Sequence, residues 1–185
     1  MNRSRTARRL PAAIALLTTA AGCGTVAPEK VRQEPARLRK SVERFRTQYL
    51  ESVETSNRLT RETIAWLNGR ALTEPRGQAV ADAHMVMDRW AKLHFVPRYM
   101  HEQLRSNEYS RAGVKDVQRR ILDHLRRDYI EYHDYQRYAQ RAAETSMHGI
   151  PQGRLAPQLV EFRKRLETRA PSQDWLTPLL ASLPQ

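Results

Sequence analysis

Residues 112–147 read AGVKDVQRRILDHLRRDYIEYHDYQRYAQRAAETSM, and this stretch decides the fold. Its apolar stripe is Val114, Val117, Ile121, Leu125, Tyr129, Tyr132, Tyr135 (or Gln136), Ala139 and Ala142. Steps of three and four put them on one side of a helix with 3.6 residues per turn. The only glycine, Gly113, lies at the very start, and Gly149 and Pro151 follow the end. Glycine and proline are costly inside helices and common at their ends, so the spacing predicts one helix from about Ala112 to Met147. Within it Tyr129, Tyr132, Tyr135 and Tyr138 recur every three residues. Each such step falls about 60° short of a turn, so the four cannot share one buried stripe. Two are expected at the core edge with their hydroxyls directed to water or a neighbour.

The flanking sequence repeats the pattern. Leu38, Val42, Phe45, Tyr49, Val53, Leu59, Ile64 and Leu67 predict a helix from about Pro35 to Asn68, with a polar break at Ser56 and Gly69 after it. Thr73-Glu74-Pro75 supplies a capping residue with proline just inside a second helix. Its stripe is Ala79, Ala83, Val86, Trp90 and Leu93, and Pro97 is expected to kink or end it before a further piece over 98–105. Leu159, Val160, Phe162 and Leu166 predict a short fourth helix over 157–169, closed by Pro171. A last turn begins at Thr177-Pro178 and carries Leu179, Leu180 and Leu183. No window alternates like a strand. The fold class is therefore all-α. Three helices of about 45 Å pack as an elongated antiparallel bundle, with the fourth helix and C-terminal turn covering the remaining apolar groove.

The N-terminus has a different character. Residues 1–9, MNRSRTARR, carry four arginines and no acid, and LPAAIALLTTAA over 10–21 is apolar or small. A charged segment followed by a short apolar one has the form of an export signal, and it is shorter than the roughly 20 residues a membrane-spanning helix needs. Ala20-Ala21-Gly22-Cys23 then resembles the lipobox of bacterial prolipoproteins, with Ala20 where that motif most often has leucine. The same residues also read as an ordinary secretory signal with an incidental cysteine. The position of the chain's single cysteine, directly after the apolar segment, favours the lipobox. The resemblance implies that residues 1–22 are removed, that Cys23 is the lipidation site, and that the mature chain is anchored without spanning the membrane. Two or more acyl chains give stable anchoring where one is marginal. Gly24, in place of an aspartate, implies the outer membrane, with the body facing the periplasm. Residues 23–34 form the lipidated cysteine and a short polar tether, and residues 35–185 form the domain.

Removing four signal arginines from 32 basic residues leaves 28 against 20 acidic, a net charge of +8. A basic chain in the envelope meets anionic lipid, polysaccharide or an acidic partner, and the export signal takes it away from nucleic acid. With Cys23 lipidated no thiol remains for a disulfide or for thiol catalysis. The six histidines invite a metal reading: His84 with Asp88, His94 with His101, His124 and His133, and Glu144 with His148. The di-iron Glu-x-x-His motif, the haem-attachment motif and the zinc-hydrolase motif are absent from the sequence, as are a nucleophile elbow and a phosphate-binding glycine loop. No catalytic residue, metal ligand or cofactor is therefore assigned, and the histidines are expected at surface or boundary positions. Arg163-Lys164-Arg165 is expected to be a solvated face among Glu161 and Glu167. The expected function is that of an envelope accessory, scaffolding or assembly protein that docks an envelope protein partner on an exposed helix face. A ligand- or metal-binding bundle using histidines and tyrosines is the alternative.

Overall fold

The computed structural model describes residues 28–73, 76–147, 155 and 157–184. Cys23, His148 and the rest of residues 1–27 lie outside them. The described residues form helices and no strand, in the order α1 Pro28–Arg32, α2 Glu34–Asn68, α3 Arg70–Thr73, α4 Arg76–Arg105, α5 Ala112–Met147, α6 Pro157–Thr168 and α7 Leu176–Ala181. α4 and α5 form a long antiparallel hairpin packed along its length, and α2 lies against it. α6 and α7 fill the groove between α2 and α5. This is the all-α bundle expected from the apolar stripes, and α5 has the predicted bounds.

Two expectations are corrected. Pro97 neither ends nor divides its helix: α4 runs unbroken from Arg76 to Arg105. Proline costs its helix one hydrogen bond. Pro97 is itself buried, with Leu93, Met100 and Leu104 buried on either side, so packing against α5 and α2 holds the backbone helical across the lost bond. The stretch assigned to the tether is partly ordered, since α1 lies inside it and Glu34 is buried. The Glu34 carboxylate accepts from the backbone N–H groups of Ser110 (2.6 Å) and Arg111 (2.7 Å). Those are orphan donors at the start of α5, where a negative charge is favoured. Burial pushes the Glu34 carboxyl up, but the two N–H groups, with the Ser110 hydroxyl and the charge of Arg37, together hold it below its ordinary value.

The apolar interior is divided into two clusters. One holds Leu59, Leu67, Ala83, Trp90, Tyr132, Tyr135, Phe162 and Leu166; the other holds Leu38, Val42, Tyr49, Met100, Ile121, Leu125, Leu176 and Leu180. Between them lies a polar layer, on the stretch of α2 where the apolar stripe breaks. Ser52, Ser56, Thr60 and Thr63 are buried there, each bonded back to a carbonyl three or four residues earlier. The layer receives Arg169, whose side chain is only 3% exposed. Its Nε donates to Glu131 (3.1 Å), Nη1 to Asn57 and Thr60 (both 3.2 Å), and Nη2 to Ser56 (3.3 Å) and Ser172 (2.5 Å). All five guanidinium N–H donors thus have an acceptor. The cation also faces the rings of Tyr132 and Tyr135, 5.8 and 6.0 Å from their centres. Asn57 completes the joint by exchanging bonds with the Ser172 backbone, donating at 3.0 Å and accepting at 2.9 Å.

Beside this layer, the Tyr49 hydroxyl donates to Asp128 at 2.6 Å. Burial raises the Asp128 carboxyl above its ordinary value, and the hydrogen bond from Tyr49 only partly offsets it. A carboxyl raised in the folded state stabilises the fold fully below its unfolded pKa, and that contribution is lost as pH rises through the folded pKa. Asp128→Asn, which keeps an acceptor for Tyr49, should therefore stabilise the protein at pH 7 by on the order of 1 kcal/mol. The gain should vanish in acid, where Asp128 itself is neutral. Urea unfolding of both proteins across that pH range checks this, and an equal difference at every pH would contradict it.

Candidate functional site

The outward face of the α4–α5 hairpin is left uncovered by α2, α6 and α7. α4 brings His94, Phe95, Arg98, His101 and Arg105 to it, at spacings that keep them along one side of a helix. The antiparallel register sets Tyr129, Ile130 and His133 of α5 opposite. They enclose a groove of about 590 Å³, which runs on into a second depression of about 490 Å³. His101, Arg105 and Tyr129 line both, and Lys115 and Arg126 line the second.

The groove combines aromatic surface with positive charge. His94 packs against His133 at 5.4 Å between ring centres, and Tyr129 meets His94 at 6.2 Å and His101 at 5.6 Å, both edge-on. Phe95 is 60% exposed and Ile130 44%; Tyr99, 54% exposed, lies outside the groove with its ring against Phe45 of α2. Large apolar side chains held in water beside one another mark a contact surface more often than single ones do. Burial lowers the His94 pKa, and His133 and Arg98 lower it further. His101 is lowered by burial and then by Arg105 and Arg126, while Glu102 and Asp123 pull the other way. Both rings are therefore neutral above the ordinary histidine range.

The sequence sets His94 and His101 seven apart across Pro97; the unbroken α4 carries both, and the fold adds His133 from α5 and buries His94, which is 7% exposed and not at the surface or boundary expected for it. Helix packing gives it the apolar wall that its own helix does not. His84 is exposed, and His124 stacks on Trp175 at 4.4 Å, away from the groove. No group of three or more His, Cys, Asp or Glu side chains among the described residues is arranged to hold a metal ion. Of the four tyrosines, Tyr132 and Tyr135 are the buried pair; the Tyr135 hydroxyl reaches Glu131 at 2.9 Å, whereas that of Tyr132 is buried without a hydrogen-bond partner. In α6, Arg165 pairs with Glu161 (2.9 Å) and Arg163 with Glu167 (3.8 Å) and Asn68 (3.1 Å), the solvated arrangement expected of that run. No helix among the described residues is long and apolar enough to cross a membrane. No protein-family model, curated protein or solved structure matches the chain.

Proposed function

We propose that the chain is a membrane-anchored lipoprotein of the cell envelope that works as an accessory or assembly component, by binding and not by catalysis. Cys23 carries the anchor, and the outward face of α4 and α5 takes the partner protein. The observation that supports this face is the pair Phe95 and Ile130, which both line the groove. They stand about half exposed, while on α2, α6 and α7 only Val160 among the large apolar residues is comparably exposed. Aromatic anchors flanked by arginine are the composition of binding hot spots.

A photo-crosslinking residue at position 95 of the full chain, expressed in its own envelope, tests the face. One defined adduct is expected there, with none from position 61 on the exposed side of α2. Equal labelling from both positions, or none from 95, would remove the proposal. The anchor has a separate test: Cys23→Ala should abolish incorporation of a palmitate analogue and release the protein from the membrane fraction. Continued labelling of that variant would show that Cys23 is not the acceptor.

A further inference from the structure

Nine arginines among the described residues pair with a carboxylate. Arg46 pairs with Glu43, Arg89 with Glu62, Arg98 with Glu102 and Arg119 with Asp116. Arg105, Lys115 and Arg126 do not: none of the three has an ion pair among the described residues, and all three line one depression. Arg105 ends α4, while Lys115 and Arg126 lie three turns apart on α5, so only the hairpin brings them together. Between them stand His101 and the edge of Tyr129. Asp123 is the only carboxylate on that wall.

We propose that this depression is a binding site for a phosphate group, held by Arg105, Lys115 and Arg126 with His101 as a further donor. Like charges brought together without a counter-ion repel, and a bound anion relieves the repulsion. A guanidinium fork matches phosphate oxygens in pairs, and the ammonium of Lys115 adds a point charge. Arg119 also lines the depression but is paired with Asp116, so three unpaired cations against Asp123 leave an excess that a doubly charged phosphate neutralises and a single carboxylate does not. His101 couples the site to pH. It is faced by Glu102 and Arg105 from α4 and by Asp123, Arg126 and Tyr129 from α5. The arginines that depress its pKa are the ones the anion would neutralise, so binding should raise that pKa and tighten as the solution is acidified. This deepens the binding reading given above and rests on the same open groove. Its chemistry is independent of whether a protein also docks at Phe95.

The test titrates inorganic pyrophosphate into the full chain in non-ionic detergent and follows the histidine ring signals by NMR. A saturable shift at His101, with its pKa rising toward the ordinary value, is expected. The double variant Arg105→Gln/Arg126→Gln should weaken binding roughly tenfold or more, whereas Arg61→Gln on α2 should leave it unchanged. Far-UV circular dichroism of the double variant should match the parent, because both arginines are exposed. A vesicle arm separates the sources of phosphate. Flotation with phosphatidylcholine vesicles that contain phosphatidic acid, competed by pyrophosphate, assigns a lipid head group. Pyrophosphate binding with no preference for those vesicles assigns a soluble phosphate compound. The proposal is overturned by the lack of a saturable shift at His101, by undiminished affinity in the double variant, or by polyglutamate binding that pyrophosphate does not displace. The last result would make the site one for an acidic peptide. Failure of the crosslink at position 95 would leave each of these readouts standing.

Discussion

Replacing Arg169 with methionine should destabilise the bundle by about 3–5 kcal/mol, nearer the lower figure, as read from urea or thermal unfolding. The guanidinium is 3% exposed and satisfies acceptors on α2, on α5 and in its own segment. Methionine fills much of its volume but leaves Asn57, Thr60, Ser56 and Glu131 facing an apolar chain. Removing one partner of a buried network costs the desolvation of those left behind, which exceeds the net worth of the bonds themselves. Glu131 is 35% exposed and can recover water, which sets the lower end. Burial opposes the cation, yet Glu131, Tyr132 and Tyr135 hold the Arg169 pKa above its usual value, so the charge persists at every ordinary pH. Arg169→Lys should restore only part of the loss, because a lysine has three donors in place of five and no planar face for the tyrosines. A loss below about 1 kcal/mol in the methionine variant would mean that the layer is not the joint described here.

The second large effect lies in the neighbouring core. Trp90 is fully buried, 4.8 Å from the ring of Tyr135 and 5.8 Å from that of Tyr132. Trp90→Ala should cost about 3–5 kcal/mol through lost apolar burial and the cavity left between α4 and α5. The indole Nε1 has no hydrogen-bond partner in the core. Trp90→Phe therefore gives up volume but no hydrogen bond, and should cost less than half as much. Comparable losses in the two variants, measured by denaturant unfolding, would instead assign the indole N–H a role.

How much of this was legible in the sequence depends on whether a feature lives on one helix or several. The stripe from Val114 to Ala142 fixes α5 by itself, because periodicity and terminal glycines act along one element. The polar break at Ser56 was visible too, but what fills it was not. Arg169 follows Leu159, Phe162 and Leu166 at helical spacing, at the end of the helix expected over 157–169, but its partner layer is more than 100 residues earlier in the chain. The signal available was Ser52, Ser56, Thr60 and Thr63, four small hydroxyl residues on what is otherwise a buried stripe, which calls for a polar occupant without naming it. The same limit applies to the groove. His94 and His101 share a face only because α4 continues through Pro97, and His133 and Arg126 arrive only through the register of the α4–α5 hairpin. Pro97 misled for the converse reason: a local rule about proline was overridden by burial on both sides of it.

The position of α7 has a consequence for how the molecule comes into being. The cluster built on Leu38 and Val42 also contains Leu176, Leu179, Leu180 and Leu183. Arg39 donates to the Leu180 carbonyl and Arg46 to the Thr177 hydroxyl, while Pro184 rests 3.4 Å from where a side chain on Gly113 would begin. The first residues of the domain to leave the ribosome therefore wait for the last. Until then that end of the bundle has one wall missing and its leucines face water. Pairings of such long sequence separation close late. That end of the bundle is therefore closed by a partner distant in sequence, whereas the α4–α5 hairpin rests on two helices joined by a short loop.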